Sequence, residues 1–341
     1  MSAKPAAPSW RRTAIRIGGS ALMLGLLLVF VPLHKLGVAL RSVPASLWVS
    51  LVLGYLATHM IGVIKWRLTL RLSGARLTFA QAVRCYYAGL FGTVFLPSVV
   101  GGDVVRMAMA FRVERNKACI VLGSLVDRIL DILSLAMVAG VGALLLPGAL
   151  EPRSRGAFKA LAVGFALIGL GLFVLLAIVP WRRLPYKMSR LFVKLRRAWL
   201  SMASRPAYVL ISLSLGIVVQ FCLVALSASV ASACGLHISF HIWLIVWPLA
   251  KILALMPLTL GGVGIREAGL TALLAPFGAP PALTVAAGLC WEAILIAGGL
   301  AAGLVSLVAG GALSTSLLAP GRLREARDKL ILPPAEYTLD D

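Results

Sequence analysis

Acidic residues are scarce in this chain: 12 Asp and Glu stand against 33 Lys and Arg, a formal net charge of +21 over 341 residues. Charge of either sign is thin, at 13%, where a soluble domain carries about 25%. The five cysteines (Cys85, Cys119, Cys222, Cys234, Cys290) are scattered, with no CxxC and no Cys/His cluster, which argues against a disulfide scaffold or a zinc site. The four histidines, His34, His59, His237 and His241, show no ligand spacing. GxxxxGK, GxSxG and HExxH are all missing, which removes the commonest nucleotide, acyl-transfer and metalloprotease signatures. Nothing here calls for a cofactor or metal. The short alternating segments of a transmembrane β-barrel are missing too.

What fills the chain is apolar sequence, 60% of residues, with a mean hydropathy of +0.96. It falls in long blocks, and an apolar run of about 18 or more residues reads as a membrane span. In lipid such a block must satisfy its own backbone, so it must be helical. The sequence predicts an all-α polytopic membrane protein. Six full spans are expected near 17–33, 45–64, 118–147, 157–180, 206–233 and 282–312. Arg11, Arg12 and Arg16 precede the first, which is read as an uncleaved span because no clear small-residue cleavage site follows.

Two further apolar blocks, 79–96 and 242–256, are broken by Pro and Gly pairs and continue into short pieces near 102–111 and 265–276. Such breaks at membrane depth occur where protein or a wet cavity can satisfy the freed backbone. They are expected to form re-entrant hairpins. With the N-terminus in the cytoplasm and both hairpins re-entrant, 23 Lys and Arg fall on cytoplasmic segments and five on outside loops. That bias explains the basic charge without nucleic acid and places both termini in the cytoplasm. Lys65, Arg67, Arg71 and Arg76 count here as one cytoplasmic group.

The expected organisation is a basic N-terminus over 1–16, a transmembrane domain over 17–312, and a short mobile tail over 313–341. Segment 181–205 joins the halves. Within it Met188, Leu191, Phe192, Leu195 and Trp199 share one helical face, and Lys187, Arg190, Lys194 and Arg197 the other. This suits an interfacial helix on anionic lipid, or an ordinary basic loop.

The two broken blocks share a spacing. Phe95 to Arg106 reads FLPSVVGGDVVR, and Pro257 to Arg266 reads PLTLGGVGIR with Glu267 next. Both are Pro-x3-Gly-Gly-x3-Arg, 160 residues apart. Repeat units of about 45–147 and 206–312 would enter from opposite sides, an inverted repeat of the kind transporters use. Two independent kinks serving helix packing would give the same pattern.

A helix that starts inside the membrane offers free N–H groups and a partial positive charge, a natural phosphate site. Pro97, Gly101, Gly102, Asp103 and Arg106, with Pro257, Gly261, Gly262, Gly264, Arg266 and Glu267, are therefore the candidate lipid-binding residues. Arg106 and Arg266 could each grip a phosphate through two parallel hydrogen bonds, or pair instead with a nearby carboxylate. Charges inside apolar spans are costly and usually functional. Arg84, Asp127, Arg128, Asp131, Lys251 and Glu292 form a candidate intramembrane charge network, as a proton or ion relay or as buried salt bridges. Moving Glu292 back by 160 residues lands beside Asp131, so those two carboxylates are expected to be counterparts.

FLPSVVGGDVVR, SLVDRILDIL at 124–133 and MPLTLGGVGIREAG together resemble the transmembrane region of lysylphosphatidylglycerol synthases, also called the flippase-like family of bacterial inner-membrane proteins. The resemblance runs over about 15–312. Pro97, Gly101, Gly102, Asp103, Arg106, Asp127, Arg128, Pro257, Gly261, Gly262, Gly264, Arg266 and Glu267 stand where that pattern places them. In two-domain relatives this part is linked to moving a modified phospholipid between leaflets, while a soluble domain makes the lysyl-lipid. Only a short tail follows residue 312, so synthase activity is not expected of this chain. The resemblance implies a plasma-membrane translocase for an anionic or phosphate-bearing lipid, with a lipid-synthesis enzyme as a partner. A membrane-embedded enzyme or a scaffold in lipid-linked sugar or aminoacyl-lipid synthesis is the alternative.

Overall fold

A computed structural model describes residues 43–95, 99–114, 116–145, 204–253 and 264–317, with isolated helical residues at 156, 160, 163, 164 and 167. Regular structure among the described residues is entirely helical. The expected first span, most of the 157–180 span, most of the 181–205 segment and the tail beyond residue 317 lie outside the described residues.

Helix α1 spans Ala45–Leu72. Pro44 opens it in an extended conformation and its carbonyl accepts the N–H of Leu47 and Trp48. The helix ends on Gly74 at φ 95°, where the Ala75 N–H reaches back to the Leu70 carbonyl at 2.9 Å. That long return bond around a left-handed glycine is a Schellman closure. Helix α2, Phe79–Phe95, begins with a reciprocal cap: the Thr78 N–H donates to Gln81 Oε1 and the Gln81 N–H to Thr78 Oγ1. Helix α3, Val99–Ala110, folds back on α2, and α4, Lys117–Leu144, follows.

The second half runs through the same order. Helix α5 is Pro206–Ala233, α6 is Phe240–Leu253, α7 is Ile265–Leu274 and α8 is Pro281–Leu317. Helices α1 and α5 are both 28 residues long, and their starts lie 161 residues apart. Gly235 closes α5 at φ 85°, with the Leu236 N–H on the Ala231 carbonyl at 2.9 Å, the counterpart of Gly74 and Ala75. The packing follows the same correspondence. Helix α8 lies against α2 as α4 lies against α6; α1 touches α4 and α8 as α5 touches α8 and α4.

Three helices among the described residues, Ala45–Leu72, Pro206–Ala233 and the Pro281–Gly310 stretch of α8, are long and apolar enough to cross a membrane. Helix α4 is as long but carries Asp127, Arg128 and Asp131 at mid-length. Helices α2, α3, α6 and α7, of 17, 12, 14 and 10 residues, are each short of the roughly 20 that span a bilayer.

Two expectations change. The span expected to stop at residue 64 continues to Leu72, so Lys65 is not a loop charge. The last span reaches Leu317 rather than 312, taking up the first residues of the expected tail.

Candidate functional site

Lys65 is the residue the sequence hid. Twenty mostly apolar residues precede it, so it reads as the end of a span. The apolar positions resume, however, at Trp66, Leu68, Leu70 and Leu72, and nothing breaks the helix before Gly74. Helix α1 therefore carries the ammonium inward, at 2% exposure. Its Nζ lies 2.9 Å from Asp127 Oδ1 and 2.5 Å from Asp131 Oδ1 on α4.

The carboxylates continue the pattern. Asp127 Oδ2 takes Arg106 Nη2 of α3 at 3.0 Å, and Arg106 Nη2 is 3.3 Å from Asp103 Oδ1. Asp103 also pairs with Arg128, whose Nη1 is 3.5 Å from Asp131 Oδ2. Lys65, Asp127, Arg106, Asp103, Arg128 and Asp131 thus form a closed ring of alternating charge with no net charge. One arc is dry: Lys65 at 2%, Asp127 at 1% and Arg106 at 4% side-chain exposure. Asp131 at 21% and Arg128 at 45% open toward the surface. Ion pairing of this completeness is what makes charge tolerable in an apolar interior. The Arg106 guanidinium also lies over the rings of Trp66, at 5.1 Å, and Tyr86, at 5.3 Å.

A second cluster sits at the start of α7. Gly264, at φ 88° and ψ −48°, precedes the helix, and its N–H donates to Glu267 Oε2 at 2.7 Å. Arg266 Nη2 lies 2.6 Å from Glu267 Oε1 and 2.9 Å from Glu292 Oε2 on α8. Arg266 is 5% exposed and Glu267 fully buried. One cation serves two carboxylates here.

Both arginines are therefore paired with carboxylates through Nη2. Each also has a buried donor without a partner. Arg106 Nε and Arg266 Nε are buried and have no hydrogen-bond partner among the described residues.

Asp127 is the α4 carboxylate on Arg106, as Glu292 is the α8 carboxylate on Arg266. Asp127 lies ten residues into α4 and Glu292 eleven into α8. Asp131 is held instead by Lys65 and Arg128.

Other candidates fall elsewhere. Gly102 is buried in the α2–α3 contact: a Cβ there would stand 2.6 Å from the Gly89 carbonyl oxygen and 2.3 Å from Thr93 Cγ2. Its missing side chain lets two backbones touch, the packing reading of the motif. Gly101 lies beside it in the first turn of α3. Arg84 is exposed on α2, apart from both clusters, with its carbonyl accepting the Ser306 hydroxyl at 2.9 Å. Lys251 donates to Oε1 of buried Gln220 at 3.0 Å, and no carboxylate among the described residues lies within 4.0 Å of it. Pro97, Pro257, Gly261 and Gly262 lie outside the described residues.

Aromatic rings join the two clusters. Trp291, next to Glu292, meets Tyr55 edge-on at 6.4 Å; Tyr55 meets His59 at 4.4 Å; His59 lies 6.0 Å from Tyr86, which faces Arg106. His59 is thus half-buried in this row of rings. No spacing in the chain signals this row, because the rings come from α1, α2 and α8.

Apolar helices of membrane length, packed around clusters of paired interior charge, define an integral membrane protein. The chain belongs to the family described as the lysylphosphatidylglycerol synthase TM region, matching it over residues 14–303. No curated protein matches the chain.

Proposed function

We propose that this chain is a flippase-like lipid translocase, which moves an anionic or phosphate-bearing lipid between leaflets of a bacterial inner membrane. The reading assigns it no covalent chemistry, and a lipid-synthesis enzyme would be its supplier. Helices α1–α4 and α5–α8 act as inverted repeats, with α2–α3 and α6–α7 as re-entrant hairpins among six full spans and both termini in the cytoplasm. The matched helix order, the paired glycine closures and the exchanged packing of α8 on α2 and α4 on α6 support this arrangement. One unit rocking against the other would expose the centre to each leaflet in turn.

The observation that carries the reading is the spare donor at each arginine. A buried N–H without a partner costs about 1–3 kcal/mol, so it persists where something else takes it. Arg106 Nε and Arg266 Nε occur in corresponding short helices, each on a guanidinium already oriented by carboxylates. A phosphate oxygen is the acceptor such a group fits. The acyl chains would stay in the bilayer while the headgroup passes between the hairpins.

The test is leaflet exchange of a labelled anionic phospholipid in proteoliposomes. The Arg106→Gln/Arg266→Gln variant should lose most of the protein-dependent exchange. Equal rates for wild type and variant, at equal reconstitution, would refute the assignment.

A further inference from the structure

Away from both clusters, four helix ends meet at one face of the bundle. The end of α1, the start of α2, the start of α4 and the start of α5 enclose a cavity of about 910 Å³, within the roughly 300–1,000 Å³ of small-ligand sites. Arg67, Arg71, Arg76 and Arg205 line it, and no acidic residue does. Arg67 is committed: its Nε–H donates to the Leu77 carbonyl at 3.0 Å and its guanidinium faces the Phe79 ring. The side chains of Arg71, Arg76 and Arg205 are exposed and make no ion pair among the described residues. Glu114 stands at the rim, where its carboxylate takes the backbone N–H of Arg76 and of Asn116 and so ties α4's start to the α1–α2 turn.

The fourth wall is the first turn of α4, through Asn116, Ala118 and Cys119. Asn116 is the N-cap of this 28-residue helix and makes no side-chain cap hydrogen bond. Early N–H groups of a helix have no carbonyl of their own to bond, and they carry the positive end of its dipole. Three uncommitted guanidiniums and a helix start thus converge on one wet cavity.

We propose that this cavity is a second, separate binding site for a phosphate-bearing anion, held by Arg71, Arg76 and Arg205 against the α4 N-terminus. It differs from the interior clusters in kind: their cations are neutralised by carboxylates, whereas these are not. The same chemistry would serve a lipid headgroup at the membrane surface or a soluble phosphate.

The experiment uses the full chain in nanodiscs. In one arm, discs of phosphatidylcholine with a minor fraction of phosphatidylglycerol are analysed by native mass spectrometry for retained anionic lipid. In the other, inorganic phosphate or pyrophosphate is titrated in pure phosphatidylcholine discs, and thermal unfolding is followed. Arg71→Gln/Arg205→Gln should weaken binding by about tenfold or more, the size of a lost charge-assisted hydrogen bond, and Arg71→Lys/Arg205→Lys by less. Retained phosphatidylglycerol without a phosphate effect identifies a headgroup; a phosphate effect alone identifies a soluble ligand. On wild type, independent of any variant's folding, the bound probe should protect Arg71, Arg76 and Arg205 from phenylglyoxal. No protection by either probe, or equal binding by wild type and a folded Gln variant, overturns the proposal. Arg106 and Arg266 are untouched in these variants, so leaflet exchange reports separately on the interior site.

Discussion

Lys65 and Asp127, 62 residues apart in the chain, meet at 2.9 Å with 2% and 1% of their side chains exposed. That contact fixes the rotation of α1 against α4 and closes the six-membered ring that holds Arg106. An interior ion pair adds little net stability over apolar packing, yet removing one member strands the other. The ring therefore specifies geometry more than it adds stability, and its members should fail asymmetrically.

Lys65→Met leaves Asp127 and Asp131 sharing a dry space without an ammonium. The expected loss is about 3–5 kcal/mol, read as a lower unfolding temperature in detergent. Adding Asp131→Asn should recover part of it. A Lys65→Met protein that melts with wild type would mean the ammonium lies in solvent after all.

Gly102→Val should force α3 away from α2. Its Cβ would collide with the Gly89 carbonyl oxygen at 2.6 Å, and backbone cannot yield as a side chain does. Overpacking of this sort costs about 1–3 kcal/mol. Gly140→Ala on α4 is the matched control, because a Cβ there meets nothing within 4 Å; it should gain a few tenths to about 1 kcal/mol from helix propensity. Thermal unfolding of the two variants side by side checks both signs.

Gly264→Ala places a Cβ on a residue at φ 88° and ψ −48°, near a turn region that L-residues rarely adopt. The cost should be about 1–3 kcal/mol. Its particular consequence is local: relief of the strain turns the backbone N–H at 264 away from Glu267 Oε2, which loosens one of the two carboxylates that hold Arg266. Proteolysis around the start of α7 should rise before global unfolding does.

Arg106→Lys and Arg266→Lys keep the charge but not the planar fork. An ammonium can satisfy the carboxylates, yet it has no fixed Nε–H aimed elsewhere. Each should cut lipid exchange about tenfold or more while leaving the unfolding temperature near that of the wild type. Arg84→Lys, on an exposed side chain apart from the clusters, should exchange at the wild-type rate. Equal exchange by all three lysine variants would remove the spare donors from the mechanism.

Much of this centre was legible. Asp103, Arg106, Asp127, Arg128, Asp131, Arg266, Glu267 and Glu292 stand out because charge in an apolar block is expensive wherever it lies. Lys65 did not stand out, because a lysine after a long apolar run is most economically read as the end of a span. Trp66, Tyr86, Tyr55 and His59 carry no spacing signal, since each acts across helices.

The order of long and broken helices, their apolar character and the two Pro-x3-Gly-Gly-x3-Arg segments follow from the sequence alone, because hydropathy, glycine and proline act locally along the chain. Which charge neutralises which was decided only by tertiary structure. Ion pairing depends on how α1, α3, α4, α7 and α8 are rotated and staggered, and those rotations are set by packing that no single segment encodes.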